Sequence, residues 1–317
     1  MIQLETIDGD FYLPEIDLWL DPHVKKRFAY ISHAHMDHVK KHQSVICSKP
    51  TKDFLKIRSK IKQINAYGYK EVFSISDYQL TLFPAGHILG SSMLLIEKGD
   101  DSLLFSGDIK VNPSLSCEEI EIPKAKQLIV EASFGSKEFI FPKKDALKDQ
   151  IKNALDSIEN TAVFFTYTLG KSQEILAYLT EMTDKPIYIH QSISVLNKVY
   201  KKHHISMADT FPIKRFDSDG TYIIPVHLRH FSILKDKLYT AIYTTGWALD
   251  PEKVKQMQCD ICLPVSDHAG FDELLAFVKA VEPEKIYTHH GRPLFSTHLQ
   301  GLGYNVHHID ENQFNEG

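Results

Sequence analysis

The chain has 317 residues, 43% hydrophobic and 24% charged, with a formal net charge of −5. That is the balance of an ordinary globular protein with room for one large domain or two, and it argues against a bulk electrostatic nucleic-acid binder. No apolar run reaches membrane-spanning length, the first residues lack the pattern of a secretory signal, and four widely spaced cysteines make no disulfide framework, so the expected setting is the cytoplasm, away from membranes.

The first segment is rich in short strands. Phe11–Leu13, Ile16–Leu20 and Phe28–Ile31 have strand length and composition and are broken by Pro14 and Pro22. Asp21 follows one of these strands; it either orients the loop that comes next or begins a turn. That loop is Ser32-His33-Ala34-His35-Met36-Asp37-His38. If the chain stays extended past the strand, His33 and His35 point to one side, and Asp37 and His38 sit where a helix could begin. Three imidazoles and a carboxylate in six residues form a metal-ligand set of mixed hardness. One tetrahedral ion cannot easily use all four from so tight a span, so two neighbouring ions are the natural reading, against the bland one of a polar loop with chance histidines. His33-x-His35-x-Asp37-His38 resembles the signature motif of the metallo-β-lactamase superfamily.

Residues 50–62 read as an amphipathic helix. From Tyr78 onward the chain repeats a pattern of strand and polar end. Leu80–Phe83 ends in Gly86-His87, Ser102–Phe105 in Gly107-Asp108, and Lys126–Val130 in Glu131. One polar residue after each strand brings these groups to one sheet edge, where α/β sites form. After Gly135 helix and strand alternate, which suggests βα units and a small parallel sheet; residues 209–237 give no clear pattern. Ser266-Asp267-His268-Ala269 is expected to start a helix through Val281, and 285–288 to be a final strand followed by His289-His290-Gly291. The basic clusters Lys40-Lys41-His42, Lys143-Lys144 and Lys201-Lys202-His203-His204 read singly as solvated faces. Cys259-x-x-Cys262 reads as strand and core.

Seventeen histidines exceed ordinary need, and some of them are placed to converge. His33, His35 and His87 would hold one divalent ion; Asp37, His38 and His290 would hold a second; Asp108 would bridge them, since a carboxylate has two oxygens. Zinc and manganese both suit such a set. A pair of ions about 3.5–4 Å apart generates hydroxide to attack phosphorus and neutralises the developing charge. His268 is left to protonate the leaving oxygen, with Glu131 to orient it. Gly170-Lys171-Ser172 lacks the glycine five residues upstream that a P-loop needs, Phe165 being there. Its lysine at a helix start can still hold a phosphate, as can Ser172 and Ser266, or the turn is only a strand-to-helix junction.

Glu131-Ala132-Ser133-Phe134-Gly135, Thr168-Leu169-Gly170-Lys171-Ser172-Gln173-Glu174, Ser266-Asp267-His268 and Thr288-His289-His290-Gly291 are similar, in order, to motifs of the β-CASP nucleases. These form the branch of that superfamily that cuts nucleic acids and carries an inserted cassette. The resemblance covers nearly the whole chain. It implies an α/β metallo-β-lactamase αββα sandwich formed by residues 1–135 and 263–317, with an inserted α/β β-CASP-like domain at 136–262. It also implies the di-metal site above, with His290 rather than His289 as ligand, and Asp37, Glu131 and His268 in catalysis.

Within the branch, the start from Phe11 to Pro22, the short cassette and the run from Ile189 to Tyr200 look like the bacterial ligase-associated DNA exonucleases and RNA 3′-end processing factors. Gln191 stands where those relatives tend to carry glycine. A histidine at the position of His290 occurs in RNA-cutting members and is missing from the eukaryotic DNA-repair members. The expectation is therefore an exonuclease acting on single-stranded or frayed DNA in repair, with a DNA ligase as partner by resemblance alone. An RNA 3′-end nuclease is the alternative. A small-molecule thioesterase or lactonase and a catalytically dead nucleic-acid scaffold are the more distant ones.

Overall fold

The structure, a computed structural model, describes residues 2–309. The chain forms two compact units: the first takes residues up to Pro113, Glu118–Lys137 and the described residues from His268 onward, the second Ser114–Cys117 and Glu138–Asp267.

The first unit opens with strands β1 (Glu5–Ile7), β2 (Asp10–Leu13), β3 (Leu18–Leu20), β4 (Phe28–Tyr30) and β5 (Ser44–Ser48), helix α1 (Lys49–Arg58) and β6 (Gln63–Tyr67). These strands form one sheet in the order β1 to β6, and β3, β4, β5 and β6 run parallel. The strand expected over residues 16–20 is shorter, because Pro14–Ile16 turns as a 3₁₀ helix and Asp17 is left-handed (φ +50°). α1 starts where the Ser48 hydroxyl accepts the Thr51 N–H at 3.2 Å, with Pro50 in the first turn where no donor is needed. It ends at Arg58, short of the expected Lys62, and the chain enters β6.

A second sheet begins with β7 (Val72–Ile75), β8 (Tyr78–Pro84), β9 (Ser92–Lys98), β10 (Asp101–Phe105) and β11 (Gln127–Glu131). The second unit follows with α2 (Lys144–Asp156), β12 (Thr161–Thr166), α3 (Lys171–Leu179), β13 (Ile187–Ile189), α4 (Gln191–Lys202), β14 (Thr210–Pro212), β15 (Thr221–Pro225), β16 (Tyr239–Thr244), α5 (Pro251–Met257) and β17 (Ile261–Leu263). Its strands form one wholly parallel sheet in the order β14-β13-β15-β12-β16-β17. Val163-Phe164-Phe165 and Tyr222-Ile223-Ile224 are continuous apolar runs buried on both faces, as helix-covered parallel strands require. β17 pairs with β16, so the second unit continues to Asp267 rather than ending at 262.

The chain then returns to the first unit with α6 (Phe271–Val281), β18 (Lys285–His289), α7 (Leu294–Gly301) and β19 (Val306–His308). β18 pairs in parallel with β11, Glu131 opposite His289, and β19 adds to β18. The helix expected to start at Ser266 starts at Phe271, with Gly270 as its cap and Glu273 accepting the Gly270 N–H at 3.0 Å. His268 therefore stands in the loop before α6.

Period-two alternation of the strand side chains explains the layers of the first unit. Phe11, Leu18, Leu20 and Tyr30 of the first sheet pack on Leu80, Leu82, Leu94, Ile96 and Phe105 of the second. The other face of the second sheet (Met93, Leu95, Leu104, Leu128, Val130) packs on Leu274, Phe277, Val278 and Val281 of α6 and on Phe295 of α7. Val45 and Cys47 of the first sheet pack outward on Leu55 of α1. Helix, sheet, sheet, helix is the αββα sandwich.

Candidate metal centre

β4 ends at Tyr30, buried and held by its hydroxyl on the Ser92 carbonyl at 2.7 Å, and the chain then enters the histidine loop. His33 is fully buried. Its Nδ1 lies 2.9 Å from Ser32 Oγ, and that hydroxyl donates to Asp21 Oδ2. Ser32 Oγ therefore accepts from Nδ1–H, a tautomer assigned from the hydrogen-bond network, and Nε2 carries the lone pair. Asp21 Oδ2 also lies 2.9 Å from His38 Nδ1, and its Oδ1 accepts the Ser32 N–H at 2.8 Å. One carboxylate thus orients two rings, the arrangement usual behind metal-bound histidines. Asp21 itself is left-handed (φ +41°).

The ring nitrogens so aimed converge on Asp108. Its Oδ2 lies 3.4 Å from His33 Nε2, 3.4 Å from His38 Nε2 and 3.7 Å from His87 Nε2. His87 Nε2 faces His35 Nδ1 at 3.1 Å. Two glycines place the β8 and β10 contributions. Gly86 (φ +75°) precedes His87, and a Cβ there would run into the Lys110 carbonyl; Gly107 (φ +54°) precedes Asp108, and a Cβ there would lie 2.5 Å from Ser32 Cβ. At the end of β18 the chain turns left-handed at His290 (φ +53°). His289 points into the core against Phe11 and Phe105, while His290 groups with His38 and Asp108.

Among the groups of donor atoms that lie within 4.8 Å of one another are two that share Asp108: His33, His35, His87 and Asp108, and His38, Asp108 and His290. Asp108 belongs to both. Asp37 stays at the rim, 77% exposed, with its carboxylate 3.9 Å from His38 Nε2.

The electrostatics suit a cation. Burial, with the neighbouring imidazoles, pushes His33 well below the ordinary imidazole range. Burial opposes protonation of His38, but the Asp108 and Asp21 carboxylates raise it well above that range. Burial likewise opposes ionisation of Asp108, yet His38, His268 and His33 hold it far below the carboxylate range. His33 Nε2 is buried with no hydrogen-bond partner among the described residues. An orphaned lone pair beside a buried carboxylate is what a divalent ion satisfies, and the set fits the group.

His268 sits beside this cluster. Its Nδ1 is 3.3 Å from Glu131 Oε1 and 3.9 Å from Asp108 Oδ2, and its ring meets the edge of Phe134. Glu131, fully buried at the end of β11, also accepts the Ser133 N–H at 2.9 Å. Burial opposes its ionisation, but His268 holds it below the usual value.

The remaining predicted residues lie in the second unit and are buried. Lys171 pairs with Asp267, and Ser172 shares a 2.5 Å hydroxyl contact with Thr166 and donates to the Tyr167 carbonyl at 2.6 Å. These contacts are those of a strand-to-helix junction rather than of an open phosphate seat. Ser266 is 5% exposed. Sequence reasoning misses Ser32, the link from Asp21 to His33. It also misses His23, whose Nδ1 lies 2.8 Å from Asp10 and whose ring is 6.3 Å from His290. The only trace of either is position, one beside the first histidine and one just past Asp21.

Comparison with known proteins agrees with this architecture. Residues 257–309 match the family described as RMMBL, Zn-dependent metallo-hydrolase RNA specificity domain. Over 292 residues the chain is 35% identical to a protein of Opitutus terrae named "Probable DNA ligase", covering 88% of this chain and 28% of that one. Over 342 residues it is 25% identical to the "RNase J-like protein" of Methanocaldococcus jannaschii, covering 82% of this chain and 80% of that one. A solved structure of a protein of unknown function from Enterococcus faecalis V583 shares the fold, with a TM-score of 0.62 over 90% of this chain and 80% of that one at 14% identity. The chain belongs to the β-CASP nuclease branch of the metallo-β-lactamase superfamily. No helix among the described residues is long and apolar enough to cross a membrane.

Proposed function

We propose that this protein is a metal-dependent phosphodiesterase that hydrolyses nucleic-acid ends, with single-stranded or frayed DNA as substrate and repair as its setting. The observation that carries the reading is the shared carboxylate: Asp108 belongs at once to a His33, His35, His87 set and to a His38, His290 set. That is the donor pattern of a two-ion site, with Asp37 completing the second set from the rim. Divalent ions bound there, zinc or manganese, neutralise the charge of a phosphodiester and lower the pKa of an attacking water toward about 7.

The chain's own groups supply the rest. Asp21 and Ser32 fix the rings of His33 and His38 so that their Nε2 lone pairs face inward. Glu131, buried and ionised, accepts from His268 Nδ1 and favours the imidazolium. Nε2 is then the nitrogen that gives its proton to the leaving oxygen. Phe134 makes a T-shaped contact with that ring.

The ligase-named relative, matching 88% of this chain, favours DNA. The RNase J-like relative and the RNA-specificity family at 257–309 favour RNA as the second reading. Matched 5′- and 3′-labelled single-stranded DNA and RNA of one sequence, incubated with zinc- or manganese-loaded protein and with a His268→Ala control, test both. Stepwise loss from one end of the DNA, lost in the control, is expected. RNA cutting with inert DNA transfers the assignment to RNA, and turnover of a thioester with both polymers intact overturns it.

A further inference from the structure

The parallel strands β4, β5 and β6 have two ends. One carries the histidine loop. At the other, Lys25, Lys26 and Arg27 lead into β4, Lys41 into β5, and Lys60 and Lys62 into β6. Because the three strands are parallel neighbours, their starts fall side by side, and these cations surround one pocket of ≈ 680 Å³. Its remaining lining is His42, Gln43 and Gln63, with no carboxylate.

The pocket is built rather than loose. Gln43 and Ser44 donate backbone N–H groups to the Lys26 and Arg27 carbonyls at 3.1 and 3.0 Å. The Lys26 N–H donates to His42 Nδ1 at 3.1 Å, which leaves the ring proton on Nε2. His42 is 3% exposed, and that Nε2 has no hydrogen-bond partner among the described residues. Burial lowers its imidazole to about 4, so the ring is neutral and its N–H is unengaged. Lys26 is engaged, its Nζ 3.3 Å from the Trp19 ring centre and 3.7 Å from Asp10. The other five cations make no ion pair among the described residues.

In a chain of net charge −5, five uncompensated cations around one concavity are a local reversal of sign that attracts anions. Adjacent strands lie about 4.8 Å apart, so the three strand starts spread the charge over about 10 Å. That is a row of positive charge, the shape of successive phosphates on a strand. β4 is three residues long, which at about 3.3 Å each puts the two ends of the strand only about 10 Å apart.

We propose that this pocket seats the phosphodiester backbone of the nucleic-acid substrate away from the position that is cut. The inference rests on the nuclease reading, which makes a polyphosphate strand the ligand already present at the molecule. His42 Nε2–H serves as the buried donor and Lys25, Arg27, Lys41, Lys60 and Lys62 as the mobile charges.

The test is fluorescence anisotropy of metal-loaded protein with a labelled, cleavage-resistant phosphorothioate DNA 20-mer between 50 and 200 mM salt. The wild type is compared with Lys41→Gln/Lys60→Gln/Lys62→Gln, whose melting temperature and metal content serve as fold controls. Each phosphate contact on a single strand contributes about 0.7 to the slope of log affinity against log salt, so the triple variant is expected to lose about two from the slope and roughly tenfold in affinity. Equal affinity and equal slope overturn the proposal. Tripolyphosphate as a second probe separates the other anion source. If the variant loses tripolyphosphate and keeps the 20-mer unchanged, the pocket seats small polyphosphates and the proposal falls. Binding is read without cleavage, so failure to hydrolyse a natural strand strikes the nuclease reading alone.

Discussion

After β4 the chain runs into Ser32-His33-Ala34-His35; after β12 it runs into Thr168-Leu169-Gly170-Lys171-Ser172. Both junctions follow a buried strand, and both place polar side chains where ligands are usually met. In the second, every singled-out group is turned inward: Lys171 on Asp267, Ser172 on Thr166 and the Tyr167 carbonyl. In the first, the polar contacts end one atom short. Asp21 and Ser32 engage the Nδ1 atoms of His33 and His38, and the Nε2 atoms face Asp108 at 3.4 Å. Polar residues at a strand end mark a site where their supporting hydrogen bonds are complete and their outward-facing atoms are not.

Substitutions at the two junctions should therefore fail in different ways. The largest effect is expected for His33→Ala or Asp108→Ala, which remove a donor: metal affinity should fall by more than the ~10–100-fold typical of supporting residues, so that elemental analysis finds the purified protein short of metal, and hydrolysis should fall with it. Retained metal at full stoichiometry would break the contrast. His268→Ala should keep its metal and lose about 10²–10⁴-fold in kcat on a nucleic-acid strand, with a smaller loss on a diester whose leaving group needs no proton. A uniform loss on both substrates would remove His268 from the proton-transfer role.

Lys171→Met should act on stability instead. It removes the Lys171 ammonium that pairs with buried Asp267, at a cost on the order of 3–5 kcal/mol in denaturant unfolding, and Lys171→Met/Asp267→Leu should recover most of that. A stable Lys171→Met protein with weakened substrate binding would make the second junction a site after all. The smallest change is Asp21→Asn, which keeps every donor atom and disturbs only their aim. Metal affinity should drop about 10–100-fold at unchanged stoichiometry.

Much of the first junction is legible as sequence because its spacing has few other uses. Histidines at alternate positions after a short apolar strand share a side, and the later polar ends at His87, Asp108 and Glu131 each follow a strand of the same sheet. What escapes the sequence is tertiary. Ser32 matters because Asp21 is carried beside it by the β3–β4 pairing, over a separation that no local pattern records. The start of α6 is misplaced because Gly270, with Glu273 reaching back to it, caps the helix, while residues 266–269 only resemble a helix start. β6 is hidden because Gln63-Ile64-Asn65-Ala66-Tyr67 is a partly exposed edge strand with a weak apolar rhythm. β15 is hidden for the opposite reason: a central strand, buried throughout, shows no alternation at all. The exposed position of Asp37 is likewise invisible in a motif that treats it as equal to its neighbours.

The pairing of β11 with β18 carries a consequence for synthesis. Glu131 lies opposite His289, yet roughly 160 residues, with nearly all of the second unit, separate them along the chain. At about 5–20 residues per second, β18 leaves the ribosome roughly 8–30 s after β11. His33, His35, His87 and Asp108 are all made before that interval, whereas His268 and His290 arrive late in it or after it. Each nascent chain therefore passes through a period in which the His33, His35, His87 and Asp108 set can form while the second set still lacks His290 and the site lacks its acid, His268.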